Sequence, residues 1–331
     1  MLLDPVQSRT LLRCALENQF AILAVNADSP AAITDCLEAA RECEAPIIIE
    51  TSLWQLTGHS FGAGDALMGM ARYLAELTVL ANSERYREVP VIYHTDHIKG
   101  PDTLRILTAA IRGLPFGDSR TLLRASTISL DSSEMTESQN IEHIAALCHV
   151  AKEAGVAVTI EMETGVDAGV SEIEVADRLL SAIESRHPGN LYLWAPGVGT
   201  QHGLSDKGYP FSAEAVAKHR QRASEICGRP IGIALHGSSG LSESDLKDGV
   251  AAGVAKVNWS SESLLIRSQA AQEFYATYAA ELVKIHSSWK ATAMDNGVQS
   301  FVSTRYVPKL IERIGILNGL GKARSFLPLP F

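Results

Sequence analysis

The chain has 331 residues, of which 46 % are hydrophobic, and a formal net charge of −9. The apolar content is enough for one large core, while the acidity, with no basic patch, argues against nucleic-acid binding. No apolar run reaches the length of a membrane span, and five cysteines without a C-x-x-C pair predict reduced thiols in a cytoplasmic protein.

The first residues lack the basic start and apolar core of a secretory signal. An amphipathic stretch at 5–18 predicts an N-terminal helix. Eight short apolar runs follow, at 21–25, 46–49, 91–93, 123–130, 156–160, 191–195, 231–235 and 254–257. Helical patterns alternate with them at 31–43, 66–80, 101–112, 138–154, 171–185, 212–226, 242–252 and 263–283. Ser29-Pro30 opens the first of these, and Gly155 and Gly253 stop two others. A last helix is expected over 302–316, followed by a Pro-containing tail at 327–331. Strand–helix alternation points to a parallel sheet, and eight pairs favour a closed (β/α)8 TIM barrel, an α/β fold, with extra N-terminal and C-terminal helices. The first helix would plug the barrel floor. No Gly/Ser-rich or Pro-rich linker divides the chain, so residues 1–331 read as one domain. The absence of Gly-x-Gly-x-x-Gly after the first strand weakens a dinucleotide-binding reading.

Chemistry-bearing residues gather at or just after the C-terminal ends of these runs, where such barrels place their active sites. They are Asn26, Glu50, His94-Thr95-Asp96-His97, Asp131, Glu161, Glu163, the segment 197–202, His236-Gly237 and Asn258. Three imidazoles with an open fourth position form a catalytic zinc pattern, and His94, His97, His202 and His236 are available at one mouth. The other six histidines fall in helices or loops and read as hydrogen-bonded structural residues. His94 and His97 stand three apart at a strand end, so at most one of them need be a ligand. Asp96 between them suits a proton carrier or a histidine partner. Glu161 and Glu163 share a strand face, and a buried acidic pair is costly unless it meets a cation or is protonated. Glycines at 197–199 and 237–240 would let backbone N–H groups approach a phosphate.

At these residues the chain resembles the class II, metal-dependent fructose-bisphosphate aldolases. The likeness runs in order from about Ala21 to about Ser263. It is carried by His94-Thr95-Asp96-His97, Asp131, Glu161-Met162-Glu163-Thr164-Gly165, Gly199-Thr200-Gln201-His202-Gly203, His236-Gly237-Ser238-Ser239-Gly240 and Lys256-Val257-Asn258. The resemblance implies a catalytic Zn²⁺ held by His97, His202 and His236, with Glu163 as an alternative ligand. It implies Asp96 as the group that moves the hydroxyl proton. Gly203, Gly237, Ser239 and Asn258 would grip the phosphate of the ketone half, with Ser52 as a further substrate contact and a monovalent cation near the glycine loops. The implied reaction cleaves or forms a ketose phosphate through a dihydroxyacetone phosphate enediolate, in a homo-oligomer (dimer or tetramer).

The chain also departs from that family. Ser238 stands where the second glycine of the turn is usual, and Trp259-Ser260-Ser261 follows Asn258 where a small or aliphatic residue and Asp-Thr are usual. The acidic run that carries the enolising base is missing from the loop after Glu163. Glu172 is the expected replacement, with Asp167 and Glu174 as rivals. These changes predict a ketose phosphate that differs from fructose 1,6-bisphosphate in its second half. The alternatives are fructose-1,6-bisphosphate aldolase proper or a non-catalytic sugar-phosphate-binding relative. Arg305 and Arg313 are candidates for a second phosphate. Outside the class II reading, Lys256 could serve a Schiff-base aldolase. A zinc hydrolase would want a His-x-His pair on the first strand, where Asn26 stands.

Overall fold

The computed structural model describes residues 1–117, 120–204 and 210–326. Eight parallel strands close into a barrel in the order β1-β8-β7-β6-β5-β4-β3-β2. They are β1 Ile22–Asn26, β2 Ile47–Thr51, β3 Val91–Ile98, β4 Thr127–Leu130, β5 Ile160–Thr164, β6 Leu191–Pro196, β7 Gly232–Leu235 and β8 Val254–Trp259. Nearly every strand residue is buried, because a ring of helices covers the outer face while side chains fill the inner one.

The helices are α1 Pro5–Glu17, α2 Pro30–Glu42, α3 Leu53–Thr57, α4 Ala66–Ala81, α5 Thr103–Arg112, α6 Glu137–Ala154 and α7 Ile173–Glu184. They continue with α8 Ala213–Cys227, α9 Glu243–Ala252, α10 Ser261–Thr277, α11 Trp289–Ala293, α12 Asp295–Ile316 and α13 Ala323–Phe326. The N-terminal helix closes the floor as expected: Leu11, Leu12 and Ala15 pack with Phe20, Ile22, Ile48, Ile92 and Leu193 in a core of their own. At its start the Asp4 carboxylate accepts from Val6 N and Gln7 N, and Gln7 reaches back to Asp4 N, a reciprocal cap that satisfies otherwise orphaned donors. The C-terminal α12 packs on α10 and α2. Among the described residues no helix is long and apolar enough to cross a membrane, and the five cysteines are unpaired.

Several boundaries differ from the sequence expectation. The run at 123–130 divides: Thr121–Leu123 pairs with Leu114–Phe116 in a small antiparallel hairpin, and β4 starts at Thr127. Ser126 makes the break, donating to Leu3 O and accepting from Tyr93 N. The run at 156–160 is mostly coil, and β5 starts at Ile160. Just before it, Thr159 is drawn to Pro5 O and Arg9 Nε of the floor helix. The helix expected over 263–283 is α10, which ends at Thr277. The last long helix begins at Asp295 and runs through Pro308, seven residues earlier than expected. The tail at 327–331 lies outside the described residues.

Candidate active site

Strand alternation sends Asn26, Glu50, His94, Asp96, Glu161, Glu163 and Asn258 to the inner face. Two irregularities add to this set. The pairing of β8 with β7 shifts register between Val254 and Lys256, and Ala255 joins the inner floor cluster while Lys256 reaches the buried acids. The pairing of β3 with β4 shifts between Thr95 and Ile98, and His97 has a left-handed φ of 49°. A histidine in that region is uncommon. The twist lets neighbouring Asp96 and His97 both face the mouth, which strict alternation forbids.

Three imidazoles meet there. His97 Nε2 lies 3.0 Å from His202 Nε2 and 2.7 Å from His236 Nδ1. The opposite nitrogen of each ring faces a carboxylate: His236 Nε2 to Glu161 Oε1 at 2.8 Å, His202 Nδ1 to Asp167 Oδ2 at 3.0 Å, and His97 Nδ1 to Glu163 Oε2 at 3.2 Å. A carboxylate on one nitrogen fixes the tautomer and turns the lone pair of the other towards a cation. Three convergent lone pairs repel one another unless a positive charge sits between them. Tetrahedral zinc, with Zn–N of about 2.0–2.1 Å, needs nitrogens roughly 3.3 Å apart, a small opening of what is seen. The surrounding charge agrees. Burial disfavours a charged His97, but Asp96 and Glu163 outweigh it and push its pKa well up, so positive charge is favoured at this point. The residues present therefore fit a divalent metal with nitrogen ligands.

His202 comes from a loop that could wander, and its neighbours clip it down. Ser171 N donates to Gly197 O, Gly199 N to Gly169 O, Gly197 N to Ser171 Oγ and His202 N to Asp167 Oδ1. Two glycines are obligatory in this clasp. A Cβ on Gly197 would lie 2.5 Å from Gly165 O, and one on Gly237 (φ 65°) 2.4 Å from Gln201 O. His219, buried on α8, supports the segment from behind by bonding Ser171 O.

Beneath the histidines lies a buried ionic layer. Lys256 Nζ stands 3.0 Å from Glu161 Oε2, 3.2 Å from Glu50 Oε2 and 3.9 Å from Asp96 Oδ1. Of the acidic pair on β5, Glu161 thus has a cation in Lys256, while Glu163 faces His97. Burial opposes ionisation of Glu161, yet Lys256 holds its carboxyl well below the usual range. Burial, then the charge of Asp96, pushes Glu50 up to about 8, and the facing Lys256 offsets this only in part. His94 donates to or accepts from Thr127 Oγ1 at 2.8 Å. Burial, then Lys256, lowers it to about 3, so it is neutral and structural. Burial lowers the Lys256 pKa, but Glu161 and Glu50 more than reverse this. A Schiff-base lysine needs the opposite shift.

Asp96 sits between the two layers. It accepts from Asn26 Nδ2 at 3.0 Å and from Asn258 Nδ2 at 2.9 Å. Burial opposes its ionisation, and His97 and Lys256 outweigh it, so it stays a carboxylate. Asn26 stands among the strand-end residues of the sequence, but an amide there carries no pattern that marks it as the partner of Asp96.

The other expected residues do not bond to the three histidines. Ser52 caps α3, its hydroxyl bonded to Gln55 and Trp54 N. Ser239 Oγ accepts from Glu262 N. Gly203 lies in a bend, with open space where a Cβ would stand. Glu172 is exposed at the N-cap of α7 and makes no cap bond, whereas Asp167 joins the histidines. Trp259 is buried and stacks on Tyr306 at 6.0 Å between ring centroids. It lies behind β8, not in the mouth, so its size does not shape the substrate space. Arg305 pairs with Glu273 and Arg313 with Ser238 and Glu262, which leaves neither poised for a second phosphate. Asp131 stands beside His97 and Glu163 at the mouth and faces Lys99 Nζ at 3.4 Å. Beside that pair opens a cleft of about 340 Å³, lined by Leu53, Thr57, Asp65, Lys99 and Arg105 among others.

The family model described as "Fructose-bisphosphate aldolase class-II" matches residues 6–305. A fructose-bisphosphate aldolase of Streptococcus pyogenes serotype M1 is 28 % identical over 280 residues, 83 % of this chain and 85 % of that protein. One of Neurospora crassa is 29 % identical over 278 residues, 75 % of this chain and 74 % of its own. Among solved structures, the fructose-bisphosphate aldolase of Campylobacter jejuni superposes with a TM-score of 0.79 at 21 % identity, covering 97 % of each chain. The YdjI aldolase of Escherichia coli K12 does so at 0.70 and 20 %, covering 98 % of this chain and 100 % of that one; these two likenesses bear on the fold. With a match from the floor helix into α12 and a closed barrel around three convergent imidazoles, the chain belongs to the class II fructose-bisphosphate aldolase family, a family of metal-dependent lyases.

Proposed function

We propose that the protein is a zinc-dependent aldolase that cleaves or forms a ketose phosphate, with His97, His202 and His236 as the metal ligands. The observation that carries this is the convergence of three imidazole nitrogens, each ring backed by its own carboxylate, directly above Asp96. A divalent metal there supplies Lewis-acid polarisation of a carbonyl and its neighbouring hydroxyl. The rest is done by side chains of this chain. Asp96, ionised and oriented by two amides, takes the proton of the hydroxyl that becomes the aldehyde as the carbon–carbon bond breaks. Glu163 holds His97 and is the alternative ligand if the metal shifts. Asp167 is committed to His202, which leaves Glu172, at the N-cap of α7, to move the carbon-bound proton, with Glu174 in the first turn of that helix as its rival. Gly203, Gly237, Ser239 and Asn258 receive the phosphate of the ketone half, with Ser52 as a further contact and a monovalent cation beside the glycine turns.

The second half of the substrate differs from that of fructose 1,6-bisphosphate. Two features support this: Ser260 in place of the family's usual Asp, and a cleft with both basic and acidic walls beside Lys99. A homo-oligomer is supported by the exposed apolar segment of Leu282, Val283, Ile285 (94 % exposed) and Trp289. The test is a panel of ketose mono- and bisphosphates with and without EDTA, with dihydroxyacetone phosphate release as the readout. Activity that EDTA removes and Zn²⁺ restores is the expected result. Asp96→Asn should keep zinc and lose roughly 10²–10⁴-fold in kcat, and Glu172→Gln should slow C–H exchange into dihydroxyacetone phosphate. Cleavage insensitive to EDTA would overturn the metal reading. Efficient cleavage of fructose 1,6-bisphosphate above all others would overturn the substrate reading.

A further inference from the structure

Arg313 stands on α12, outside the barrel, yet it is only 8 % exposed and reaches the turn after β7. Its Nη2 donates to Ser238 O at 2.8 Å and Ser238 Oγ at 3.1 Å. The Ser238 hydroxyl in turn donates to Asn258 O at the end of β8. The guanidinium lies 5.5 Å over the Trp259 ring, and its Nη1 is 3.4 Å from Glu262 Oε2. Trp259 Nε1 donates to the same Glu262 oxygen at 2.7 Å, and Glu262 N donates to Ser239 Oγ. Tyr306, two helical turns before Arg313, stacks on Trp259. The turn is thus gripped from outside at the Ser238 carbonyl, the Ser238 hydroxyl and the Ser239 hydroxyl.

Two departures from the family pattern, Ser238 and Trp259, take part in this one assembly. A glycine at 238 could offer neither the hydroxyl that accepts from Arg313 nor the bond to Asn258 O. A small aliphatic residue at 259 could neither stack under the guanidinium nor donate to Glu262. The geometry also acts on the mouth. In a trans peptide the carbonyl and the following N–H point opposite ways, so pinning Ser238 O outward to Arg313 turns Ser239 N–H away from α12, toward the barrel.

We propose that Arg313 is a positioning residue for substrate binding. It acts through Ser238, Trp259 and Glu262 to hold the turn Gly237–Gly240 in the conformation that receives the phosphate monoester of the ketone half. This rests on the aldolase reading above. The probes are dihydroxyacetone phosphate and unphosphorylated dihydroxyacetone, titrated into zinc-loaded Arg313→Met, Arg313→Lys and Ser238→Ala proteins, with zinc content and thermal midpoint measured alongside. Arg313→Met should weaken dihydroxyacetone phosphate about tenfold, leaving dihydroxyacetone and zinc content within about twofold. Arg313→Lys should recover part of the loss. Ser238→Ala, a one-atom change that keeps the fold, should shift the same preference in the same direction by less. Equal weakening of both ligands, or no weakening in any variant, overturns the proposal while leaving the aldolase reading intact. Zinc-loaded wild-type protein that ignores dihydroxyacetone phosphate overturns both.

Discussion

Along the inner face of the barrel, Ile22, Ile48, Ile92 and Leu193 pack at the floor against Leu11 and Leu12 of α1. Two residues further along two of those strands stand Glu50 and His94, level with Glu161 and Lys256, and beyond them Asp96 and the three histidines. The same alternation serves both regions, but the floor is closed by apolar burial and the mouth by paired charges. Apolar burial tolerates shape-conserving exchange. A buried ionic layer does not, because removing one member strands its partner. The mouth can therefore hold ionised groups where water is excluded because the floor supplies the burial that offsets them.

A pair of substitutions should separate the regions most sharply. His236→Ala removes one of the three convergent nitrogens, so zinc retention and turnover should both be abolished, and the loss of the buried His236–Glu161 bond should lower the thermal midpoint as well. Leu11→Ala, by contrast, should cost about 2–5 kcal/mol of stability and leave kcat and metal content near wild type at temperatures where the protein stays folded. Metal analysis, a coupled cleavage assay and urea unfolding read all three quantities. A His236→Ala protein that still holds zinc would break the division between the two ends.

Lys256→Met tests the boundary layer. With the ammonium gone, Glu161 and Glu50 face each other without a cation, and the penalty for breaking a buried pair is about 3–5 kcal/mol. Adding Glu161→Gln to Lys256→Met should restore part of it, because the carboxylate that Lys256 held ionised is then neutral. Urea unfolding of the two single variants and the double variant gives the coupling. Strict additivity would mean that the layer is not one network.

How much of this was legible in the sequence follows the same division. The alternating runs gave the barrel, because a parallel strand under helices must be apolar over its length, and the four mouth histidines stood out at strand ends. The helix at the floor was legible from its amphipathic period. The start of β5 was not, since Thr159 leaves the sheet for a bond to Pro5 O more than 150 positions away. Neither was the left-handed twist at His97, which nothing in His-Thr-Asp-His announces, nor the partnership of Asp167 with His202, which arises from the folding of two loops onto one another. Arg313 and Ser238 are 75 positions apart, and only the docking of α12 brings them together. Local pattern encodes the elements. The partners of the functional groups are set by contacts between them.

The most gradual expected effect, spread over several pH units, concerns Glu50 and its dependence on pH. Burial and the charge of Asp96 raise its carboxyl from 4.5 to about 8. Between those values the folded protein binds more protons than the unfolded chain, so stability must fall as pH rises. The contribution is fully present below about 4.5 and is lost as pH passes through about 8. Glu50→Gln has no such proton to lose. Wild-type stability should therefore decline relative to the variant between pH 5 and 8, with a slope of at most roughly 1.4 kcal/mol per pH unit for one proton. His94, lowered to about 3, acts on the acid side: its neutral form supports the fold above about 6.5 and that support is lost as pH falls towards 3. Because His94 is present in both proteins, its effect cancels in the comparison and the difference curve isolates Glu50. Unfolding curves that stay parallel from pH 5 to 8 would mean that Glu50 is ionised in the fold, with Lys256 compensating both acids at once.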